Sequence, residues 1–188
     1  AYLMVDGVRD ETSGKTLAAS EWKATWTNLD EITMAGRFII YSVQEDPVPA
    51  GYEVSYSGGP YNHTITNTKK ATLELKKIWV GTPGSVYLNI GTTEYGTEIA
   101  SQLTTDTILT TGPKPVAPGT YYFSENIGPI TDLSEYISTF NCTVTPAGAN
   151  VNAVMPSIIM PDNIVLEAGE SAVCTYTNTQ RDKIVVEN

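Results

Sequence analysis

One histidine, and no grouping of cysteine, histidine and acidic residues at metal-ligand spacing, leave this chain short of ordinary catalytic equipment. His63 is the only imidazole in 188 residues, so a Ser/His/Asp relay has a single available base and no motif around it. A core or rim histidine, on the face shared with Ile65 and Asn67, is the expectation for it. Metal and cofactor sites are not expected, and no glycine-rich phosphate loop is present. Sustained helical periodicity with caps is missing, as is any apolar run long enough for a membrane helix. No leader peptide or C-terminal sorting tail is visible. Ala1-Tyr2-Leu3-Met4-Val5 already reads as a strand, so the sequence is expected to be a piece of a longer chain. Basic residues are scarce: 11 Lys and Arg against 21 Asp and Glu give a formal charge of −10. That balance disfavours nucleic acid and anionic membrane surfaces as partners and otherwise serves solubility.

What is present is Thr, Val, Tyr and Ile in short runs, punctuated by Gly and Pro, which predicts an all-β chain. The length fits one large or two small domains. Two are expected: residues 1–68, residues 69–181, and a tail or the start of a following segment over 182–188. Strands are predicted in the first domain at Tyr2–Val5, Glu21–Thr27, Arg37–Glu45, Tyr52–Tyr56 and Asn62–Asn67. In Trp22-Lys23-Ala24-Thr25-Trp26 the alternation places both tryptophans on one buried face. Pro47-Val48-Pro49-Ala50-Gly51 reads as a turn in which Gly51 takes an unusual backbone angle. The second domain follows Lys69-Lys70 directly. Its predicted strands are Ala71–Val80, Val86–Ile90, Ile108–Thr111, Gly119–Asn126, Thr139–Thr145, Asn163–Leu166 and Ala172–Asn178, with one helical turn near Asp132–Tyr136. Cys142 and Cys174 form a disulfide in a secreted setting and stay two small buried apolar residues in a reducing one; the disulfide is favoured.

A repeat gives these strands a chemical reading. Tyr41-Ser42-Val43-Gln44-Glu45 is followed by Thr64-Ile65-Thr66-Asn67-Thr68. Tyr121-Tyr122-Phe123-Ser124-Glu125 is followed by Cys174-Thr175-Tyr176-Thr177-Asn178-Thr179. Alternate residues of a strand share a face, so Glu45, Asn67, Glu125 and Asn178 each lie on an apolar side. Buried polar groups need partners. In Ala71–Val80, Lys77 shares the face of Leu73, Leu75 and Trp79, where a lysine is seldom tolerated alone. If the first and last strands of the second domain are neighbours, Lys77, Glu125 and Asn178 converge. Burial disfavours charge, and a neutral amine is a nucleophile. A protonated Glu125 can polarise the Asn178 carboxamide and pass a proton to the departing nitrogen. The product is a Lys–Asn isopeptide bond and ammonia, formed once, so the chain modifies itself and is not a turnover enzyme. The blander reading keeps Lys77 reaching its amine to the rim of the sheet.

The same residues carry a family resemblance. Trp26-Thr27-Asn28-Leu29, the stretch from Tyr41 through Glu45-Asp46-Pro47-Val48-Pro49-Ala50-Gly51 to Tyr52, and Thr64-Ile65-Thr66-Asn67-Thr68 resemble the CnaB-type repeat of Gram-positive adhesins and sortase-assembled pilins. The second domain resembles the wider prealbumin-like relatives through Leu73-Glu74-Leu75-Lys76-Lys77-Ile78-Trp79, Tyr122-Phe123-Ser124-Glu125 and Thr175-Tyr176-Thr177-Asn178-Thr179. The resemblance implies two tandem Ig-like, prealbumin-like β-sandwiches, the first lacking its N-terminal strand. Lys77 is then the amine donor, Glu125 the proton shuttle and Asn178 the acceptor. In domain one Glu45 is the shuttle and Asn67 the acceptor, with no donor lysine in the chain: Lys23 faces away, and Lys69 and Lys70 lie beyond the last strand.

Three accounts of that gap stay open: a cut within the domain, a strand lent by another chain, or an exposed edge. The tail Lys183-Ile184-Val185-Val186-Glu187 could fill it or begin a following domain. The implied protein is an extracellular, cell-wall-anchored pilin or adhesin stalk whose tie between first and last strands blocks unzipping. Its partners are neighbouring domains or subunits of a fibre. The alternative is a module recognising a host protein or glycan through its loops, with Tyr52, Tyr56 and Tyr61 as candidates. Asn62-His63-Thr64 and Asn141-Cys142-Thr143 match a glycosylation pattern by chance in a bacterial protein.

Overall fold

The computed structural model describes residues 1–105, 107–129, 131–148 and 163–182; the tail Lys183–Glu187 lies outside the described residues. The chain forms two compact units, Ala1–Thr68 and Lys69–Asn188.

In the first unit, β1 (Tyr2–Val5), β2 (Val8–Arg9) and β3 (Tyr41–Gln44) form an antiparallel sheet in the order β2-β1-β3. Asp6-Gly7 turns β1 into β2 with both residues at positive φ, 51° and 81°, the backbone that a two-residue hairpin needs and that this dipeptide favours. Asp6 then holds the returning chain, accepting from the Ile40 amide at 2.9 Å and pairing with Arg37 at 2.6 Å. Strands β4 (Tyr52–Gly59) and β5 (Asn62–Lys69) make a separate two-stranded sheet. Gly51 takes φ +80° before β4, as the turn reading expects. Leu3 is the one buried apolar side chain of this unit among the described residues, whereas Trp22 and Phe38 are 71% and 76% exposed.

The predicted strand Glu21–Thr27 does not form. Trp22 sits at φ +47° and points outward, and Trp26 is half-buried, its indole donating to the Ser13 carbonyl at 2.9 Å. The alternating pattern is there, but no neighbouring strand offers a ladder. Arg37–Glu45 shortens to β3 with one isolated bridge, Ile32 to Phe38.

The second unit is a sandwich of two four-stranded sheets. Its strands are β6 (Ala71–Val80), β7 (Val86–Gly91), β8 (Ala100–Leu103), β9 (Lys114–Val116), β10 (Gly119–Ile127), β11 (Tyr136–Thr145), β12 (Asn163–Leu166) and β13 (Ser171–Gln180). One sheet runs β12-β10-β7-β8 and the other β11-β13-β6-β9. Strict alternation builds the core: Leu73 and Leu75 of β6 and Cys174 and Tyr176 of β13 face Val86, Leu88 and Ile90 of β7 and Tyr121 and Phe123 of β10. A one-residue slip would turn these faces out to water, so the register is firmly set. A short 3-10 turn, Leu133–Glu135, is capped by Asp132, which accepts from the Ser134 amide at 3.0 Å. Ile108–Thr111 contributes a single bridge from Thr110 to Lys76 instead of a strand. Strands β8 and β9 were not predicted.

Two features fix β13. It runs parallel to β6, from Ser171 opposite Thr72 to Thr179 opposite Val80. Because the strands are parallel, tension entering at the start of β6 and leaving at the end of β13 slides them past each other; the unzipping expected from the sequence is the wrong geometry. On its other side β13 pairs with β11, and Cys142 and Cys174, directly opposite, form the disulfide. The bridge closes a loop of sequence separation 32, which corresponds to roughly 3–4 kcal/mol of restricted unfolded-state freedom. Replacing both cysteines by serine is expected to lower the urea-unfolding free energy by about that amount while the far-ultraviolet circular dichroism stays that of a β protein.

Candidate functional site: a buried Lys–Glu–Asn cluster

Three strands converge on one point in the second sandwich. Strand β6 delivers Lys77 in step with Leu73 and Leu75; β10 delivers Glu125, two residues after Phe123; β13 delivers Asn178, two after Tyr176. Tyr176 stands opposite Lys77, and Asn178 opposite Trp79. The side chain of Lys77 is fully buried and that of Glu125 is 5% exposed, and their charged atoms lie 2.6 Å apart. Asn178, also fully buried, donates its carboxamide nitrogen to both Glu125 oxygens, at 3.0 and 3.1 Å. The Trp79 ring lies 4.3 Å from the Lys77 amine and packs edge-on against Tyr136. Phe123 and Tyr176 each pack at a tilt against Phe140, with ring centres 5.3 and 4.6 Å away.

Burial pushes the Lys77 amine below its ordinary pKa, outweighing the Glu125 hydrogen bond and charge that favour the ammonium. The neutral, nucleophilic amine is thus easier to reach than in water. The Asn178 carbonyl oxygen is buried without a hydrogen-bond partner among the described residues. Its amide nitrogen suits an ionised Glu125, whereas a protonated Glu125 would donate to that oxygen after a half-turn of the carboxamide. Both arrangements fit the same space, since the two ends of the amide are nearly the same size.

The first unit holds the second pair. Asn67 donates to Glu45 at 3.0 Å, and the Glu45 amide is anchored by the Tyr56 hydroxyl at 2.9 Å. No ion pair to Glu45 occurs among the described residues, and Lys23 and Lys69 are exposed. Asn67 is exposed as well, against the inward placement expected for it, because the face it shares with Ile65 opens on a cleft. His63 lies at the rim of a second cleft with Trp26, Phe38 and Tyr61. Sequence reasoning assigned no role to Ser138, whose hydroxyl lies 3.4 Å from Glu125. It stands opposite Asn178 on β11, a position that only the strand register discloses.

Residues 1–68 match the model of the Cna protein B-type domain, and residues 62–180 match that of the prealbumin-like fold domain. No curated protein matches. Among solved structures, the major pilin protein T-13 of Streptococcus pyogenes aligns at 9% identity and a TM-score of 0.40, covering 80% of this chain and 57% of the pilin. The T3.2 major pilin of the same organism aligns at 13% identity and a TM-score of 0.33, over 80% and 57% of the two chains. The chain thus spans little more than half the length of either. With more than half of its residues under one family model, the chain belongs to the prealbumin-like fold domain family, and a Cna protein B-type domain precedes that match.

Proposed function

We propose that this chain is a structural stalk or backbone module of a Gram-positive surface adhesin or pilus, and that its second sandwich ties its own first and last strands through an amide bond from Lys77 to Asn178. The family supports a surface structural role. The observation that carries the chemical part is the enclosure of an amine, a carboxyl and a carboxamide in contact with one another and out of water. The Lys77 nitrogen adds to the Asn178 side-chain carbonyl carbon. A proton from the amine passes through Glu125 to the carboxamide nitrogen, the bond from carbon to that nitrogen breaks, and ammonia leaves. Trp79 and its aromatic neighbours keep water from competing. Each chain reacts once. Residues 69–181 serve as the cross-linked domain, Glu125 as shuttle, and neighbouring fibre subunits at the bacterial surface as partners.

Intact-mass spectrometry tests this directly. The chain is expected to weigh one ammonia less than its sequence mass, after the disulfide is allowed for, and a peptide map should join Lys77 to Asn178. Glu125→Ala should restore the full mass. A deficit that survives in Glu125→Ala assigns the shuttle elsewhere, and a full mass in the unsubstituted protein removes the bond.

A further inference from the structure

The Glu125 carboxyl has three side-chain partners among the described residues. They are the Lys77 amine at 2.6 Å, the Asn178 carboxamide nitrogen at 3.0 and 3.1 Å, and the Ser138 hydroxyl, which donates to Oε2 at 3.4 Å. In the reaction proposed above the amine becomes an amide and the carboxamide loses its nitrogen. Of the three, Ser138 alone keeps its bonds throughout. We infer, resting on that Lys77–Asn178 chemistry, that Ser138 is a positioning residue of the same site: its hydroxyl holds the Glu125 carboxyl in place while the protons move.

Strand register delivers the hydroxyl. Strand β11 lies beside β13, with Ser138 opposite Asn178. Alternate residues share a face, so Tyr136, Ser138, Phe140 and Cys142 form the inward row of β11. Tyr136 packs against Trp79, and Phe140 packs against Phe123 and Tyr176. Ser138 is a small side chain between those two rings, and it is exposed where Tyr136 is buried and Phe140 half-buried. A third ring there would continue the apolar row; a serine leaves room for the Glu125 carboxyl to be met by a hydroxyl. Glu125 is thus held between sealed reactants on one side, Lys77 and Asn178, and an exposed donor on the other.

A proton shuttle has to be held in both of its states. A hydroxyl donates to a carboxylate and accepts from a carboxylic acid, whereas a fixed cation in its place would favour the carboxylate alone. The need is greatest when the Asn178 carboxamide makes its half-turn. Both contacts from its nitrogen to Glu125 are then given up. Oε2 keeps the Ser138 hydroxyl through that turn, so the carboxyl stays within reach of the Lys77 amine and of the departing nitrogen. Small displacements of a reacting group slow a reaction strongly. Ser138 itself gains no bond to either reactant and gives up no proton.

Ammonia loss followed with time in the full chain tests this. A short pulse of cell-free synthesis gives chains of one age, and intact-mass spectra of reduced samples count those that have reacted. Ser138→Ala and Ser138→Val are expected to react about tenfold more slowly than the parent. That is the lower end of what a hydrogen bond to a charged group contributes, because 3.4 Å is a long hydroxyl contact. Ser138→Thr should stay within about threefold of the parent. Valine and threonine have nearly the same shape and both suit a strand, so a gap between them belongs to the hydroxyl. Urea unfolding in an Asn178→Ala background, where no bond can form, separates this from folding: the valine form should be at least as stable as the threonine form. Valine and threonine forms within about threefold of each other in rate overturn the proposal, as does an alanine form at full speed, or a valine form that is both slower and less stable. A parent chain that never loses ammonia removes the bond itself, which is a different result from an unslowed valine form.

Discussion

Stretched from its two ends, the second unit is expected to open without releasing the chain between Lys77 and Asn178, roughly 240 Å with the Cys142–Cys174 loop closed and roughly 350 Å with it reduced, taking about 3.3–3.6 Å for each extended residue. The reason lies in the strand order. Tension enters β6, and β6 lies beside β13, parallel and in register from Thr72 to Val80. Without a covalent tie, resistance comes from shearing the hydrogen bonds of that pair together. With Lys77 joined to Asn178, the pull passes from one side chain to the other, and everything between them is bypassed. Single-molecule stretching should show no lengthening step from this unit in the unsubstituted chain. Lys77→Ala and Asn178→Ala should each introduce a step of about 240 Å with the disulfide intact, because the bridge withholds its own loop of sequence separation 32, and of about 350 Å after its reduction. The same step in the unsubstituted chain would mean that no tie exists there.

Asn178→Ala is also expected to expose the second unit to proteases about 10³-fold more. A cross-link that closes about 100 residues restricts the unfolded chain by about 4.7 kcal/mol, or between three and four powers of ten in the population of the open form at 1.36 kcal/mol each. Where reclosing outpaces cleavage, digestion follows that population. Native-state proteolysis at several protease concentrations measures it. The variant also leaves the Lys77–Glu125 pair buried beside a space, so the loss should be at least this large. Digestion of Asn178→Ala within tenfold of the parent would show that the unit gains little from the link. Disulfide reduction offers a scale for comparison, since its shorter loop carries a smaller expected loss.

Where side-chain alternation and a pairing partner coincide, the sequence was enough. The bounds of β6 and β12 agree with their predicted ranges, and β10 with its own to within a residue, because their inner faces are largely apolar rows. The glutamate and asparagine carried on apolar faces called for a third buried partner, and Lys77, set within such a row, supplied it. The Trp22–Trp26 alternation misled because a strand also needs a neighbour with free hydrogen-bonding groups, and that information lies elsewhere in the chain. Strands β8 and β9 are 4 and 3 residues long, and β9 contains Pro115, so they carry too little pattern to read. The contact of Ser138 with Glu125 and the exposure of Asn67 depend on register and on what covers a face. Neither is encoded by nearby residues.

The placement of the disulfide has a consequence for redox chemistry under strain. Cys142 and Cys174 both fall between Lys77 and Asn178 in the chain. Once those two residues are fused, traction on the unit never reaches the sulfur atoms. Reductants should then cleave them at the same speed when the chain is taut as when it is slack.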